Sequence, residues 1–227
     1  MARVTRAGAA DTGLGVSRGC FITLEGVDGA GKSTQVTALV AALEATGREV
    51  VSLREPGGTA ISEKIRAILL DPANSEMADE CELLLYEASR AQLVRQVIEP
   101  ALMRGAVVVC DRFFDSTHAY QAAARGLGSA LVHTANSLGC CGVVPDVTIV
   151  LDMDPAEAFA RAGRGGLDRL ESEGLSFQRR VRADYLALAS DEPGRVHVVD
   201  AAGAADEVAA RVRAAIAAAC PRAGLDG

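Results

Sequence analysis

Residues 26–34 (GVDGAGKST) match the pattern G-x-x-x-x-G-K-[ST] without a gap. The segment lies between an apolar run at 20–25, which has the composition of a strand, and a helical pattern that begins at Lys32. Its glycines let the backbone curl so that successive N–H groups point at phosphate oxygens, and the following helix adds the positive end of its dipole. An ordinary glycine turn is the alternative, which the strand-to-helix context disfavours. The motif therefore predicts a P-loop that binds a nucleoside triphosphate.

The residues of this motif have separate expected tasks. The Lys32 ammonium can reach the β- and γ-phosphates, and the Ser33 hydroxyl can bind Mg²⁺. The residues expected to bind ATP are Gly26, Val27, Asp28, Gly29, Ala30, Gly31, Lys32, Ser33 and Thr34. A P-loop alone does not distinguish motors, switches, partition ATPases and kinases, so the rest of the chain has to decide the function.

Apolar runs alternate with helical patterns along the whole chain, which is typical of a parallel sheet covered on both faces. Strands are predicted at 20–25, 49–53, 106–111, 146–152 and 195–200. Helices are predicted at 32–46, 61–70, 76–104 and 204–219, with Pro100 as a kink or restart in the third. We therefore expect one P-loop domain at 20–219, a three-layer α/β/α fold with a five-stranded parallel sheet. Residues 1–19 are expected to form a disordered tail and 161–174 a mobile lid.

Composition narrows the function further. The chain has 227 residues, 49% hydrophobic and 23% charged, which suits one soluble globular domain. Its net charge of −7 disfavours an extended nucleic-acid surface. No apolar run approaches the roughly 20 residues of a membrane span, and residues 1–19 lack the apolar core of a secretory signal, although a transit segment is an alternative for this arginine-containing stretch. The six cysteines lack metal-site spacing. A cytoplasmic protein without membrane or nucleic-acid partners is expected.

Two arginines come where predicted strands end. Arg54 opens the turn REPGG after the second strand, and Asp111-Arg112 ends the third. Ligands of doubly wound sheets bind at the carboxyl ends of strands, so Arg54 can clamp a phosphate and Arg112 can bridge donor and acceptor phosphates. Asp111 is placed to orient a magnesium-bound water or Lys32, as a Walker-B acid does. The alternatives are a turn with a surface arginine and a salt-bridged strand end.

Two further groups of residues point to a second ligand. Tyr86 and Arg90 lie four apart in a predicted helix and share a face, so they could stack on a base and read its edge. Taken alone, a core tyrosine beside a surface arginine explains them better. Arg161, Arg164 and Arg169 alternate with glycines, so they could close over the triphosphate and neutralise developing charge. A solvated basic loop is the alternative.

In their order and spacing these motifs resemble the thymidylate kinase family over residues 20–217. The segments that carry the resemblance are FITLEGVDGAGKST, LREPGGT, LLLYEASRAQ, DRFFDSTHAYQ, PDVTIVLD and LDRLE. The resemblance implies transfer of the γ-phosphoryl group of ATP to dTMP, giving dTDP and ADP for dTTP synthesis, with Mg²⁺ as cofactor. It also implies a homodimer packed through helices.

The resemblance further implies roles for individual residues. Asp28 would contact the 3′-hydroxyl of the deoxyribose or a magnesium-bound water, and Arg54 and Arg112 would hold the 5′-phosphate. Tyr86 takes the place where the family usually has a phenylalanine stacked on thymine, and Arg90 would bond the base carbonyl. The full implied substrate set is Asp28, Arg54, Tyr86, Arg90, Arg112, Thr117, Tyr120 and Gln121, with Thr117 and Gln121 at the pyrimidine edge and Tyr120 crowding the 2′ position. The implied metal set is Ser33, Asp28 and Asp111.

Gly29 indicates a subgroup of the family, because some members carry arginine directly after the P-loop acid. The chain resembles the subgroup that supplies this charge from the lid, so the implied catalytic residues are Lys32, Arg112, Arg161, Arg164 and Arg169. The nucleophile is a 5′-phosphate oxygen that is ionised near neutral pH, so no general base is needed. His118, His133 and His197 are therefore expected to have no catalytic role.

Two alternatives stay open at this point. The first is a kinase for another nucleoside monophosphate, such as dUMP. The second is a nucleotide-dependent switch or partition ATPase whose output is binding a protein or DNA. A switch has no need for Arg54, Tyr86, Arg90 and Gln121 to converge on a second ligand, so the acceptor side of the site discriminates between them.

Overall fold

The apolar runs of the sequence form one parallel sheet in the computed structural model, which describes residues 18–162 and 173–225. Among these residues five strands pair in the order β2-β3-β1-β4-β5. The strands are β1 Phe21–Glu25, β2 Val50–Arg54, β3 Val107–Asp111, β4 Val147–Asp152 and β5 Val196–Asp200. Each begins and ends within one residue of its predicted bounds, and all four pairings are parallel. The predicted α/β fold with a five-stranded parallel sheet is confirmed.

Helices cover the sheet, and their order follows the chain. The helices within the described residues are α1 Lys32–Ala45, α2 Ala60–Leu70, α3 Asp79–Leu93, α4 Glu99–Met103, α5 Phe114–Thr117, α6 Ser129–Gly139, α7 Pro155–Ala162, α8 Leu175–Asp191 and α9 Ala205–Ala219. A 3₁₀ turn at Pro221–Ala223 follows α9. Residues 1–17 of the predicted tail and 163–172 of the predicted lid, including Arg164 and Arg169, lie outside the described residues.

The predicted helix at 76–104 is divided by a change of pitch. After α3, residues Val94–Ile98 form a π-helical turn, and α4 then continues to Met103. Pro100 is the second residue of α4, directly after the π-helical turn, so its missing N–H falls where the pitch changes. The irregularity therefore precedes the proline. A second π-helical turn, His118–Ala124, extends α5.

Alternate residues of the central strands pack into two hydrophobic layers. Ile22 and Leu24 of β1 belong to the layer that includes residues of α1 and α9, while Phe21 belongs to the layer against α3 and α4. Successive side chains of a strand point to opposite faces, so an all-apolar strand serves both layers. The strands are therefore buried on both sides, and their polar end residues lie together at one edge.

That carboxyl edge carries the residues singled out by the motifs. β1 ends at Glu25, β2 at Arg54 and β3 at Asp111. Arg54 and Leu24 both pair in register with Asp111, which places the three following loops side by side. Ligands of such sheets bind at this edge, next to the first strand, where the chain changes direction. Within the described residues, no helix has the length and apolar character needed to cross a membrane.

Candidate active site

The loop between β1 and α1 has the curled conformation that the motif predicts. Gly26 and Gly29 have φ angles of 139° and 83°, which strongly favour glycine. A Cβ atom on Gly29 would lie 2.1 Å from the Ala158 carbonyl oxygen, and one on Gly26 would lie 2.7 Å from that of Leu151. Both positions therefore have no room for a side chain. In this fold an arginine at position 29 would have to displace the backbone of α7.

The Lys32 ammonium lies across this loop. Its Nζ donates to the carbonyl oxygens of Gly26 and Val27, at 3.1 and 2.9 Å. Burial, followed by the neighbouring Arg112 guanidinium, lowers the pKa of Lys32 to about 8. The ammonium is therefore held near carbonyl oxygens that a phosphate oxygen could replace as its partner.

Ser33 and Asp111 bring the start of α1 to the end of β3. The Ser33 Oγ donates a 2.9 Å hydrogen bond to Asp111 Oδ2. A hydroxyl and a carboxylate are hard oxygen ligands of the kind that Mg²⁺ prefers, with phosphate oxygens completing its shell. Among the described residues no group of three or more His, Cys, Asp or Glu side chains forms a metal cluster. The Ser33 hydroxyl and the Asp111 carboxylate therefore fit a magnesium ion whose other ligands are phosphate oxygens.

Arg112 occupies the centre of the site. Its backbone has a φ of 72°, which is uncommon for a residue with a side chain. The guanidinium forms an ion pair with the Asp28 carboxylate. Its other hydrogen bonds go to Gly26 O at 3.0 Å, Ser116 Oγ at 3.0 Å, Tyr120 OH at 3.1 Å and Tyr185 OH at 3.4 Å. This cation is thus aimed at the P-loop from the neighbouring strand.

Asp28 is the carboxylate that Arg112 contacts. It also accepts from Tyr120 OH at 3.0 Å and from Gln178 Nε2 at 2.9 Å. Burial alone would raise the pKa of Asp28, but the charges of Arg112 and Lys32 outweigh it and lower the pKa. The carboxylate is therefore ionised. It connects the P-loop to the π-helical turn His118–Ala124 and to α8.

Arg54 lies at the end of β2, before a cis Glu55–Pro56 peptide bond. Its Nη2 lies 3.0 Å from Glu63 Oε2, and half of the arginine side chain is exposed. Arg66 of α2 is close by and donates to the Pro56 carbonyl oxygen at 2.8 Å. Sequence reasoning missed Arg66, because it belongs to no motif and its side chain reaches the site only through the packing of α2.

Arg90 is fully buried, so the alternative of a surface arginine is wrong. Its Nε lies 2.8 Å from Glu55 Oε1, and its Nη1 donates to Glu87 Oε1 at 2.5 Å. Further bonds go from Nη1 to Asn136 Oδ1 at 2.8 Å and from Nη2 to Thr117 Oγ1 at 2.7 Å. Burial opposes the charge, but the two glutamates outweigh it and raise the pKa of Arg90. Arg90 is therefore both a structural ion-pair centre and a residue that lines the site.

The remaining residues of the implied base pocket also lie together. Tyr86 of α3 faces Thr117, Tyr120 and Gln121 across one cavity. Gln121 donates through Nε2 to Glu82 Oε1 at 2.7 Å, so its amide orientation is set by a buried carboxylate. Sequence reasoning missed Glu82, whose role depends on α3 packing beside the π-helical turn His118–Ala124.

One cavity of about 440 Å³ joins the P-loop to the residues where the sequence predicts the acceptor. Its cationic lining residues are Lys32, Arg54, Arg66, Arg90, Arg112 and Arg161, and its acidic ones are Asp28, Glu55 and Asp111. The chain as a whole carries 30 acidic against 23 basic residues, so positive charge is concentrated here. Such a lining is suited to two phosphate-bearing ligands held close together.

Most of the predicted site residues that the structure describes line this cavity. Gly26, Val27 and Ala30 are not among its lining residues, and the side chains of Val27 and Ala30 pack in the core instead. Arg161, at the end of α7, lines the cavity and donates to Ala201 O at 3.3 Å. Arg164 and Arg169 lie outside the described residues.

Comparison with known proteins agrees with this geometry. Residues 24–212 match the family model described as thymidylate kinase. A thymidylate kinase of Desulfosudis oleivorans is 50% identical over 204 residues, covering 86% of this chain and 95% of that protein. One of Deinococcus radiodurans is 50% identical over 202 residues, covering 88% and 98%. The crystal structure of thymidylate kinase from Ehrlichia chaffeensis superposes with a TM-score of 0.71 at 31% identity, covering 88% of this chain and 99% of that one. The P-loop lies beside a cavity lined by arginines, and the match extends over most of the chain: this protein belongs to the thymidylate kinase family.

Proposed function

We propose that this protein transfers the γ-phosphoryl group of ATP to the 5′-phosphate of dTMP, giving ADP and dTDP. The observation that carries the proposal is that Lys32 of the P-loop lines the same cavity as Arg54 and Arg112, which lie where two other strands end. A nucleotide switch would need only the first of these groups. A switch binds no second substrate, so it would have no use for a tyrosine and a glutamine that converge on one.

The chemistry that this arrangement supports is phosphate transfer by positioning. The attacking 5′-phosphate oxygen is already ionised near neutral pH, so the protein has to hold two phosphates in line and offset their repulsion. Lys32 would bind the β- and γ-phosphates, Arg54 the acceptor phosphate, and Arg112 would lie between them. Arg161, together with Arg164 or Arg169, would add charge over the triphosphate.

Mg²⁺ fits the oxygen donors that meet where α1 begins and β3 ends. Ser33 and Asp111 would hold it, because their side-chain oxygens already meet at 2.9 Å. When bound, the ion supplies charge neutralisation on the β- and γ-phosphates. Asp28 would contact a magnesium-bound water or the 3′-hydroxyl of the acceptor. Its carboxylate also forms an ion pair with Arg112, which lies beside both ligands in this proposal.

The base pocket supports thymine as the acceptor base. Tyr86 would stack on the ring, Arg90 and Thr117 would bond its edge, and Tyr120 would crowd a 2′-hydroxyl. A thymine presents one ring N–H donor, and the carbonyl oxygen of Gln121 is the amide atom that does not donate to Glu82. A related pyrimidine monophosphate such as dUMP is the second candidate, since it presents the same N–H.

The test is ADP release from ATP with nucleoside monophosphates added singly: dTMP, dUMP, dCMP, dAMP, dGMP and UMP. We expect stimulation by dTMP well above the others. Equal or greater stimulation by dUMP would favour the second candidate, and a flat response across the panel would leave only a switch. Lys32→Ala serves as the control, because it should depress kcat severely with every acceptor.

A homodimer and a cytoplasmic location are also proposed. Support for the dimer comes from exposed apolar side chains on neighbouring helices, namely Leu84 of α3 and Leu131 and Leu138 of α6. Covering apolar side chains of this kind with a second protomer is favourable, because it removes them from water. Sedimentation equilibrium of the wild type and of Leu84→Arg would test it: a wild-type monomer, or a dimer that survives the substitution, would contradict this interface.

A further inference from the structure

Glu25 is the last residue of β1 and has no solvent exposure. Its carboxylate accepts three hydrogen bonds. Oε1 accepts from the Phe113 backbone N–H at 2.6 Å, and Oε2 accepts from Ser116 Oγ at 2.6 Å and from Tyr185 OH at 2.8 Å. None of these donors is a cation, so this buried carboxylate has no direct ion-pair partner among the described residues.

The two hydroxyls connect Glu25 to Arg112. Nη1 of Arg112 donates to Ser116 Oγ at 3.0 Å and to Tyr185 OH at 3.4 Å. A hydroxyl has one proton and two lone pairs, whereas an ionised carboxylate only accepts. When ionised, Glu25 therefore accepts both hydroxyl protons in hydrogen bonds, which leaves hydroxyl lone pairs toward the guanidinium. The two hydroxyls also lie 2.8 Å from each other, so Glu25, Ser116, Tyr185 and Arg112 form one hydrogen-bonded network.

The backbone of Arg112 is held from the same strand. Its own N–H donates to the Leu24 carbonyl oxygen at 3.0 Å, and the next N–H, of Phe113, donates to Glu25 Oε1. The two hydrogen bonds fix the peptide groups on either side of a residue with a φ of 72°. Such a conformation persists only where the surroundings over-determine it.

We propose that Glu25 is a positioning residue for Arg112. Its carboxylate holds the left-handed backbone of Arg112 and, through the hydroxyls of Ser116 and Tyr185, directs the guanidinium toward the phosphates. The inference rests on the proposed function, in which Arg112 lies between donor and acceptor phosphates.

The position of Glu25 is costly for folding, which favours a functional role. Burial, and next the nearby Asp115, raise the pKa of Glu25 to about 7. Buried groups whose pKa is shifted in this way cluster at functional sites. A residue retained only for the stability of the strand would be better apolar, like Phe21 and Ile22 on the same strand.

The experiment compares Glu25→Gln with Thr23→Val in the dTMP kinase reaction. Thr23 is equally buried two residues earlier on β1, and its hydroxyl contacts Thr148 Oγ1 at 2.8 Å without touching Arg112. We expect Glu25→Gln to lower kcat by roughly 10- to 100-fold, since a displacement of about 1 Å near the reacting groups costs on the order of 100-fold. Thr23→Val should keep kcat within about two-fold, because it leaves the network of Arg112 intact.

A double-mutant cycle separates positioning from general destabilisation. In an Arg112→Ala background, Glu25→Gln should lower kcat by less than about two-fold, because its target is gone. An undiminished loss of kcat in that background, or a Glu25→Gln enzyme as active as Thr23→Val, would overturn the proposal.

If Glu25→Gln does not fold, Tyr185→Phe is the substitute test. It removes one of the two hydroxyls between Glu25 and Arg112 and should lower kcat several-fold, whereas an unchanged kcat would refute the inference. A wild type that does not phosphorylate dTMP would instead refute the proposed function.

Discussion

The Ser33 hydroxyl, in the first turn of α1, donates a 2.9 Å hydrogen bond to the Asp111 carboxylate at the end of β3. This contact joins the P-loop to the strand whose next residue is Arg112. Since Asp111 also pairs in register with Arg54, the nucleotide-binding and acceptor sides share one rigid edge of the sheet. Under the proposed function, strand pairing thus sets the relative position of the donor and acceptor phosphates.

Asp111→Asn is expected to weaken the binding of Mg²⁺. The amide keeps the shape of the side chain but removes the charge that would hold the ion with Ser33. The Mg²⁺ concentration for half-maximal rate should rise by on the order of 10-fold or more. A Mg²⁺ titration at fixed ATP measures it, with Thr37→Ala as control, because the Thr37 hydroxyl bonds only the Ser33 carbonyl oxygen among the described residues. An unchanged titration midpoint would exclude Asp111 from the metal site.

Arg54→Ala should raise the KM for dTMP far more than the KM for ATP. A charge-assisted hydrogen bond contributes roughly 1.5–3 kcal/mol, which corresponds to about 10- to 150-fold in KM for dTMP. Arg104→Ala is the matched control: Arg104 is 48% exposed against 49% for Arg54, and it too pairs with a surface glutamate. Steady-state kinetics with each substrate varied would test it, and equal rises in both KM values would show that Arg54 does not hold the acceptor phosphate.

Arg90→Met should destabilise the fold as well as the base pocket. It would leave Glu55 and Glu87 buried without their cation, and loss of one partner of a buried ion pair costs about 3–5 kcal/mol. Urea unfolding measures the change in the free energy of unfolding. Arg95→Met, which removes a surface ion pair with Glu99 on the next turn, is the control and should change stability little. Equal effects of the two substitutions would contradict the structural role of Arg90.

Nucleotide binding should weaken at alkaline pH because of Lys32. The pKa of this ammonium lies near 8 in the folded protein, below the ordinary 10.5, so its charge is present below pH 8 and is lost as the pH rises through 8. The affinity for ADP should therefore be constant near pH 7 and fall by on the order of 10-fold by about pH 9.5. Isothermal titration calorimetry measures it. Lys32→Arg keeps its charge and should not show this fall; the same decline in both proteins would assign it to another group.

The local sequence determined the P-loop and the strands. Residues 26–34 are contiguous, and the positive φ angles at Gly26 and Gly29 are properties of glycine at those positions. The strand bounds followed from short apolar runs that end at polar residues such as Arg54 and Asp111. Because parallel strands meet at one edge, the convergence of these two residues could also be predicted.

Only the tertiary structure decided how the remaining side chains are used. The periodicity of α3 places Tyr86 and Arg90 on one face but does not say that this face is buried. Arg90 acquires Glu55 as a partner only when the turn after β2 comes to lie beside α3. In the same way, Glu25 meets Tyr185 across 160 positions of the chain. Glycine turns and short apolar strands are set by residues adjacent in the chain and can be inferred from them. The partners of a buried charge come from distant segments, so they are known only once the sheet and helices have packed.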